Sequence, residues 1–356
     1  MRDFALTAEV QELCVAADRL GRTELAPAVR DHEEAGAWPP AVTAVLDGFP
    51  LGGLDLPERL GGVDAGCLTK VAVLETLALH DAAGLAAADR TGPTVGALLA
   101  CPDRGLATEV AASLLAGTAS AAFTVPDAEL GTTELFWGPS QPALRWIWTC
   151  AGSELGLLEV TGPVHAAKVL AFQASGGVSV PFASTTERGR WDIGARAALA
   201  VRGRARLWAA AIAVGVAEAA LQETLQYTTD RVVFGKPVAH HQGNAFDLAF
   251  AASRVHASRL VVRDAAASFD RNEPDAGFWA TQAWLETMEN AFLVTDTGIQ
   301  LLGGHGFIVD HLAEKRFREC RHLAMLAGAL DAAEADVAAV VLDVPDALLA
   351  GLEQQR

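Results

Sequence analysis

Apolar positions recur every three or four residues through the first third of the chain and again through its last third, while the middle third breaks into short runs. From residue 4 to about 118 this spacing predicts helices punctuated by glycine and proline. Val10, Leu13, Cys14, Ala17 and Leu20 make one helical stripe, with Thr7 placed as its N-cap. Pro39-Pro40 opens a second helix through Val42, Val45 and Leu46, because proline suits a first helical turn. Leu56 to Gly62 is a turn-rich connector. Helices resume through Val71, Leu74, Leu77 and Ala78, and again through Val110, Leu114 and Leu115.

Between 119 and 202 the apolar runs 122–125, 144–149, 157–160 and 168–172 are spaced by Gly, Pro and Ser, which predicts a small antiparallel sheet or barrel. From 203 onward long helices return over 207–227, 245–269 and 278–302, followed by shorter ones near 312–320 and 325–341. Long striped helices with short connections assemble as a bundle. The expected fold is mainly α with a small β-domain. It comprises an N-terminal helical domain (1–118), a shortened middle β-domain (119–202) and a C-terminal four-helix bundle (203–356).

Composition narrows the partners. The formal net charge of −17 argues against nucleic acid, which requires clustered Lys and Arg. An anionic ligand would have to find individual cations, so single arginines matter. The five cysteines (Cys14, Cys67, Cys101, Cys150, Cys320) are scattered without metal-type spacing, which suits a reduced setting. The charged N-terminus shows no signal peptide, and no apolar run reaches the roughly 18 residues of a membrane span. The expectation is a cytoplasmic protein with no membrane span.

Two local patterns carry candidate chemistry. In the first, Arg231-Val-Val-Phe234-Gly235-Lys-Pro237 precedes Gln242; taken alone it is a helix end, a turn and a new helix. The second, Gln300-Leu301-Leu302-Gly303-Gly304-His305-Gly306-Phe307, closes a long helix. One glycine suffices for a helix C-cap. Three within four residues let the backbone come close to something else.

Together, these two patterns on either side of a helical hairpin resemble the acyl-CoA dehydrogenase family. Leu6-Thr7-Ala8-Glu9, Glu24-Leu25-Ala26-Pro27, the Pro57-Glu58-Arg59-Leu60-Gly61-Gly62 turn, Glu75-Thr76-Leu77-Ala78 with Asp81, and Arg316 with Arg318-Glu319 are similar to the family's other landmarks. The resemblance implies FAD as cofactor and oxidation of an acyl-CoA thioester to its 2,3-enoyl form. A carboxylate removes the α-proton, and the flavin takes the hydride. By resemblance Arg231 would pair with the FAD pyrophosphate, Phe234 would pack on the adenosine, and Gln242 would hydrogen-bond along the dinucleotide. Gln300, Leu301, Gly303 and Gly304 would bring bare backbone against it.

The pattern breaks at the base. The family's Glu-Gly-Thr triplet matches Ala327-Gly328-Ala329, and an alternative base position before Arg206 matches Ala205. The flavin-holding T-E-P-x-x-G-S-D element is reduced to Thr124-Val125-Pro126-Asp127-Ala128-Glu129-Leu130-Gly131 and Gly138-Pro139-Ser140. Trp146-Ile147 echoes a flavin-lining W-I-T, but its tryptophan is read as core. In the family the retained elements reach across to the neighbour's FAD, and the missing ones serve the subunit's own. The resemblance therefore implies a non-catalytic partner of a sibling subunit that carries the Glu, with an electron-transfer acceptor downstream. Two alternatives stay open: a homo-oligomeric enzyme with a displaced base, and a flavin-free scaffold. His240, His241 and His305 are read as helix-end or surface residues. Glu286 and Glu289 are surface charges, and Asp331, Glu334 and Asp336 a solvated helix face.

Overall fold

The computed structural model describes residues 6–126, 134–135, 143–167 and 169–342. Thr7 caps the first helix as expected: its hydroxyl accepts the Val10 N–H at 3.4 Å and opens α1 (Ala8–Leu20). Short helices α2 (Val29–Ala35) and α3 (Pro40–Asp47) follow, the latter with proline at its start. Beyond the 57–62 turn come α4 (Cys67–Ala78), α5 (Ala82–Ala88), α6 (Val95–Ala100) and α7 (Arg104–Leu115). Asp81 caps α5 by accepting the Gly84 N–H at 3.0 Å.

The middle region is a mixed sheet, not the antiparallel one expected. Its strands are β1 (Ser120–Thr124), β2 (Glu134–Leu135), β3 (Leu144–Ala151), β4 (Glu154–Val160), β5 (His165–Ala166), β6 (Val178–Pro181) and β7 (Thr185–Asp192). The larger sheet runs β1-β3-β4-β7; β1 and β3 are parallel and the other pairs antiparallel. The strand expected at 168–172 is not formed by its described residues. Ala171 and Phe172 are instead buried in a turn, and Phe172 takes a left-handed φ of 56°. Four strands that sequence spacing missed, β2, β5, β6 and β7, complete the sheets. Trp146 is core: fully buried, it donates from Nε1 to Ser113 Oγ at 2.9 Å and packs between the sheet and α7.

The bundle helices are α8 (Ala195–Asp230), α9 (Gln242–Asp270), α10 (Ala276–Leu302), α11 (Ala313–Leu323) and α12 (Ala329–Val341). A small hairpin of β8 (Val232–Val233) and β9 (Lys236–Pro237) links the first two. α8 starts twelve residues before the expected 207. It is apolar on nearly all sides because it packs against α4, α6, α9, α10 and α11, so it is a core helix. By length and composition it is the one described helix that could cross a membrane, yet 89% of its most apolar window is buried within this fold.

One crossing sets the geometry of the site. A Cβ on Gly203 of α8 would sit 2.7 Å from Gly277 O, and one on Gly277 of α10 would sit 2.7 Å from Ala200 Cα. The two backbones therefore touch. One turn further on, Arg206 and Thr281 face each other, and Arg206 Nη1 donates to Thr281 Oγ1 at 3.2 Å.

Candidate functional site: two buried alanines and an exposed bundle end

The two expected base positions, 122 residues apart in sequence, are linked through the Arg206 side chain. Arg206, next to Ala205, donates from Nε to Ala327 O at 3.3 Å. Both alanines are buried, at 1% and 5% exposure. The turn that carries Ala327 keeps an unusual backbone: Ala327, Gly328 and Ala329 have φ of 52°, 93° and 57°. Left-handed alanines are strained. A Cβ on Gly328 would lie 2.9 Å from the Val125 Cβ, so the Thr124-Val125-Pro126 segment rests on this turn. The rest of that element, 127–131 and 138–140, lies outside the described residues.

Trp208, one turn along α8 from Ala205, is 4% exposed and donates from Nε1 to Asp89 Oδ2 at 2.8 Å. Asp89 is itself held by Lys70 Nζ at 2.7 Å. The Arg206 guanidinium is fully buried and lies 5.9 Å from the Trp284 ring centroid.

Here the structure corrects a sequence expectation. Asp331 and Glu334 are exposed on α12, but Asp336 turns inward. Its carboxylate accepts Arg206 Nη1 at 2.5 Å, Arg202 Nη2 at 2.7 Å and Arg202 Nε at 2.9 Å. Burial would raise the Asp336 pKa, but hydrogen bonds and charge from Arg202 and Arg206 outweigh it and hold the carboxyl below its usual range. Burial in turn pushes the Arg206 pKa down from its ordinary value. Two guanidiniums share one carboxylate, and Arg206 Nη2 is buried with no acceptor among the described residues. Asp336 is thus a structural counter-ion. Sequence periodicity could not reveal this, because both its partners lie on another helix.

The two C-terminal motifs are organised differently. α8 ends, α9 begins and α10 ends at one end of the antiparallel bundle. Tyr227, one turn before Arg231, hydrogen-bonds His305 Nδ1 at 3.0 Å and stitches the two motifs together. The Arg231 carbonyl accepts the Val238 N–H at 2.8 Å, but its side chain is exposed and makes no ion pair or hydrogen bond among the described residues. Phe234 and Gly235 form the two-residue tip of the β8–β9 hairpin, with φ of 51° and 80°. Such turns favour Asn or Asp at the first position. Here a phenylalanine stands there, 94% exposed. Gln242 is exposed at the first position of α9, whose N-terminus has no side-chain cap.

The three glycines of the second motif separate by purpose. A Cβ on Gly306 would press on the Ile299 backbone at 2.5 Å, so this glycine serves the chain's own packing. A Cβ on Gly303 or Gly304 would meet nothing within 4 Å. Gly303 also adopts φ 59° and ψ −132°, which a residue with Cβ avoids. Gln300 is exposed and Leu301 half-buried on the last turn of α10. All seven predicted clamp residues thus sit at one bundle end. His305 is exposed, as are Glu286 and Glu289.

Arg316 and Arg318-Glu319 are ties within the fold. Arg318 donates to Glu33 Oε1 at 2.8 Å and Glu314 Oε2 at 2.7 Å, while Arg316 pairs with Glu223. Glu319 pairs with buried Lys315, which also reaches Asp81 at 2.6 Å. Burial would lower the Lys315 pKa, but the carboxylates of Asp81 and Glu319 hold it above its usual value.

A two-domain helical fold around a mixed sheet, with an Arg-x-x-Phe-Gly hairpin beside a Gln-x-x-Gly-Gly turn, defines an acyl-CoA dehydrogenase-type protein. The chain belongs to the acyl-CoA dehydrogenase family: residues 7–101 match its N-terminal domain and residues 192–342 its C-terminal domain. It is 29% identical to a Mycobacterium leprae protein described as "Probable acyl-CoA dehydrogenase", over 89% of this chain and 91% of that one. A shorter match, 37% identical over 33% of this chain and 30% of the other, links it to a cyclohex-1-ene-1-carbonyl-CoA dehydrogenase of Geobacter metallireducens. Among solved structures, butyryl-CoA dehydrogenase from Megasphaera elsdenii shares the fold. Its TM-score is 0.81 at 21% identity, with coverage of 96% of this chain and 100% of that one. A glutaryl-CoA dehydrogenase from Mycobacterium smegmatis, solved with FADH2, gives a TM-score of 0.74 at 16% identity, covering 95% of each chain.

Proposed function

We propose that this chain is the non-catalytic, flavin-clamping subunit of a two-subunit acyl-CoA dehydrogenase. Its sibling carries the Glu base for α,β-desaturation of an acyl-CoA thioester, and an electron-transfer acceptor reoxidises the complex. The observation that carries this reading is the contrast between the two sites. Both base positions are buried alanines, one of them bonded through its carbonyl to Arg206, while the end that carries the two motifs is exposed and makes few demands on its own subunit.

The clamp residues fit an FAD dinucleotide held from one side. Arg231 offers an unspent guanidinium for a pyrophosphate, in fork geometry. The uncapped N-terminus of α9 adds free backbone donors, which favour an anion. Phe234 offers an exposed ring to the adenosine, and Gly303 and Gly304 leave room for the ligand to approach their backbone. FAD, when bound, supplies the hydride acceptor. Nothing described in this chain supplies the proton acceptor. Asp336 shares Arg206 with the Ala327 carbonyl, but two arginines hold it ionised and engaged, which speaks against its acting as a displaced base.

The purified chain alone is expected to give no measurable desaturation of acyl-CoA substrates in a dye-reduction assay. Coexpression with the sibling chain should yield activity. Turnover by the isolated chain would refute the reading. Ala327→Glu adds a sharper test. A carboxylate there that paired with Arg206 Nη2, which has no acceptor among the described residues, would have a lowered pKa and be a weak base. The variant is therefore expected to remain inactive alone, even though it restores the family's residue. Recovery of even about one hundredth of the coexpressed complex's rate would contradict the claim that Arg206 disables a carboxylate at this position, since a positioned base contributes roughly 10²–10⁴.

A further inference from the structure

Three aromatic rings meet at the bundle end that carries the two motifs. Tyr227, half-buried on the last turn of α8, lies 5.7 Å from His305 and 5.7 Å from His311 between ring centroids. The two histidine rings are 5.6 Å apart, edge to face. None of the three is among the seven residues placed against the flavin, yet Tyr227 touches both motifs. Its carbonyl accepts the Arg231 N–H at 2.9 Å, and its hydroxyl hydrogen-bonds His305 Nδ1 at 3.0 Å.

The two histidines are held to different degrees. His311 Nδ1 lies 3.4 Å from Glu223 Oε1, which also accepts the Leu312 N–H at 3.2 Å; the same carboxylate pairs with Arg316. Arg30 of α2 donates to the carbonyls of Val309 at 2.9 Å and His311 at 2.5 Å. That side of the cluster is tied to the body of the fold. His305 is exposed, and among the described residues its imidazole bonds only to Tyr227. Gly306 beyond it is pressed on the Ile299 backbone, but Gly303 and Gly304 before it have open space where a Cβ would stand. Among the described residues, the Tyr227 hydroxyl makes the one side-chain hydrogen bond to the Gly303–Phe307 turn.

We propose that Tyr227 is a positioning residue for the flavin, a role that rests on the flavin-clamping reading. Through His305 it holds the Gly303-Gly304 backbone at a fixed separation from Arg231, so that both reach one dinucleotide at once. Glycine loses more conformational freedom on ordering than any other residue. A Gly-Gly turn that is ordered before the ligand arrives spares binding that cost.

The test uses the coexpressed pair with substitutions in this chain only, and measures FAD affinity from the fluorescence of flavin released on dilution. Tyr227→Phe keeps the ring and removes only the hydroxyl. It is expected to weaken FAD roughly three- to tenfold, the worth of one neutral hydrogen bond, while the pair stays assembled. His305→Ala should weaken it by a similar factor, and the double substitution by no more than the larger single loss, because both remove one bond. His305→Asn offers an amide oxygen as many bonds from Cβ as Nδ1 is. It should keep most of the affinity when Tyr227 is present, but not together with Tyr227→Phe. A tyrosine that only packs the bundle would give additive losses and no rescue. Unchanged affinity in Tyr227→Phe, additive losses, or equal losses from His305→Asn and His305→Ala would each overturn the proposal. Arg231→Ala in the same pair tells the two claims apart. If it releases flavin and Tyr227→Phe does not, the positioning role alone is wrong; if neither does, the clamp itself is wrong.

Discussion

Replacing Asp336 with alanine is expected to lower the folding stability of the chain by about 3–5 kcal/mol, the range for breaking a buried ion pair from one side. The variant would leave Arg202 and Arg206 facing each other without a carboxylate, in a site where Arg206 is fully buried. Each guanidinium would then carry its desolvation cost uncompensated. Their remaining partners are neutral: Gly152 O, Ala327 O, the Thr281 hydroxyl and the Cys150 thiol. Burial raises the Cys150 pKa, so the thiol does not become a substitute anion. Urea denaturation of the purified variant measures the loss; a change under about 1 kcal/mol would show that Asp336 is dispensable. The pH dependence has a definite sign. The folded Asp336 pKa is depressed, so its contribution is complete above the unfolded value of about 3.9. It is lost as pH falls through the lower folded value. The wild type should therefore weaken in acid, and the variant should lack that part of the slope.

Arg231→Ala is expected to have the opposite profile: a large effect on cofactor and almost none on the fold. Arg231 is exposed and has no ion pair to lose among the described residues, so stability should change by no more than about 0.5 kcal/mol. If it pairs with a pyrophosphate of FAD held by the sibling, truncation removes charge-assisted hydrogen bonds. Bonds of that kind are worth about 1.5–3 kcal/mol, roughly ten- to hundredfold in affinity. Structural arginines of this chain would behave differently. Arg202, Arg206, Arg316 and Arg318 all hold internal carboxylates, and their loss should register in stability.

Much of the geometry of the two C-terminal motifs was legible because its signals are local. Gly303-Gly304 and Phe234-Gly235 place unusual backbone where a helix ends, and both φ values and exposure follow from those few residues. The helices were legible from apolar spacing where one face meets water. α8 was misread at its start because Arg196, Arg202, Arg204 and Arg206 look like a polar linker. In the fold Arg202, Arg204 and Arg206 are ion-paired with Asp336 and Asp55, which lie far away in sequence. Asp336 was misread for the same reason: Asp331 and Glu334 beside it are solvated, and nothing local marks the third acid as buried. The run ending at Phe172 looked like a strand, but Phe172 packs on His322 at 5.2 Å between ring centroids, a contact no alternation encodes. The alanines at the expected base positions were visible in the sequence, but the Arg202–Arg206–Asp336 network that reaches the Ala327 carbonyl was not.

The most direct test places Arg231→Ala in this chain only, coexpresses it with the wild-type sibling, and counts FAD per purified pair by flavin absorbance. The account predicts an intact complex that has lost most of its flavin, although the catalytic subunit is unaltered. A complex that keeps its full flavin complement would contradict the claim that this chain clamps the cofactor of its neighbour.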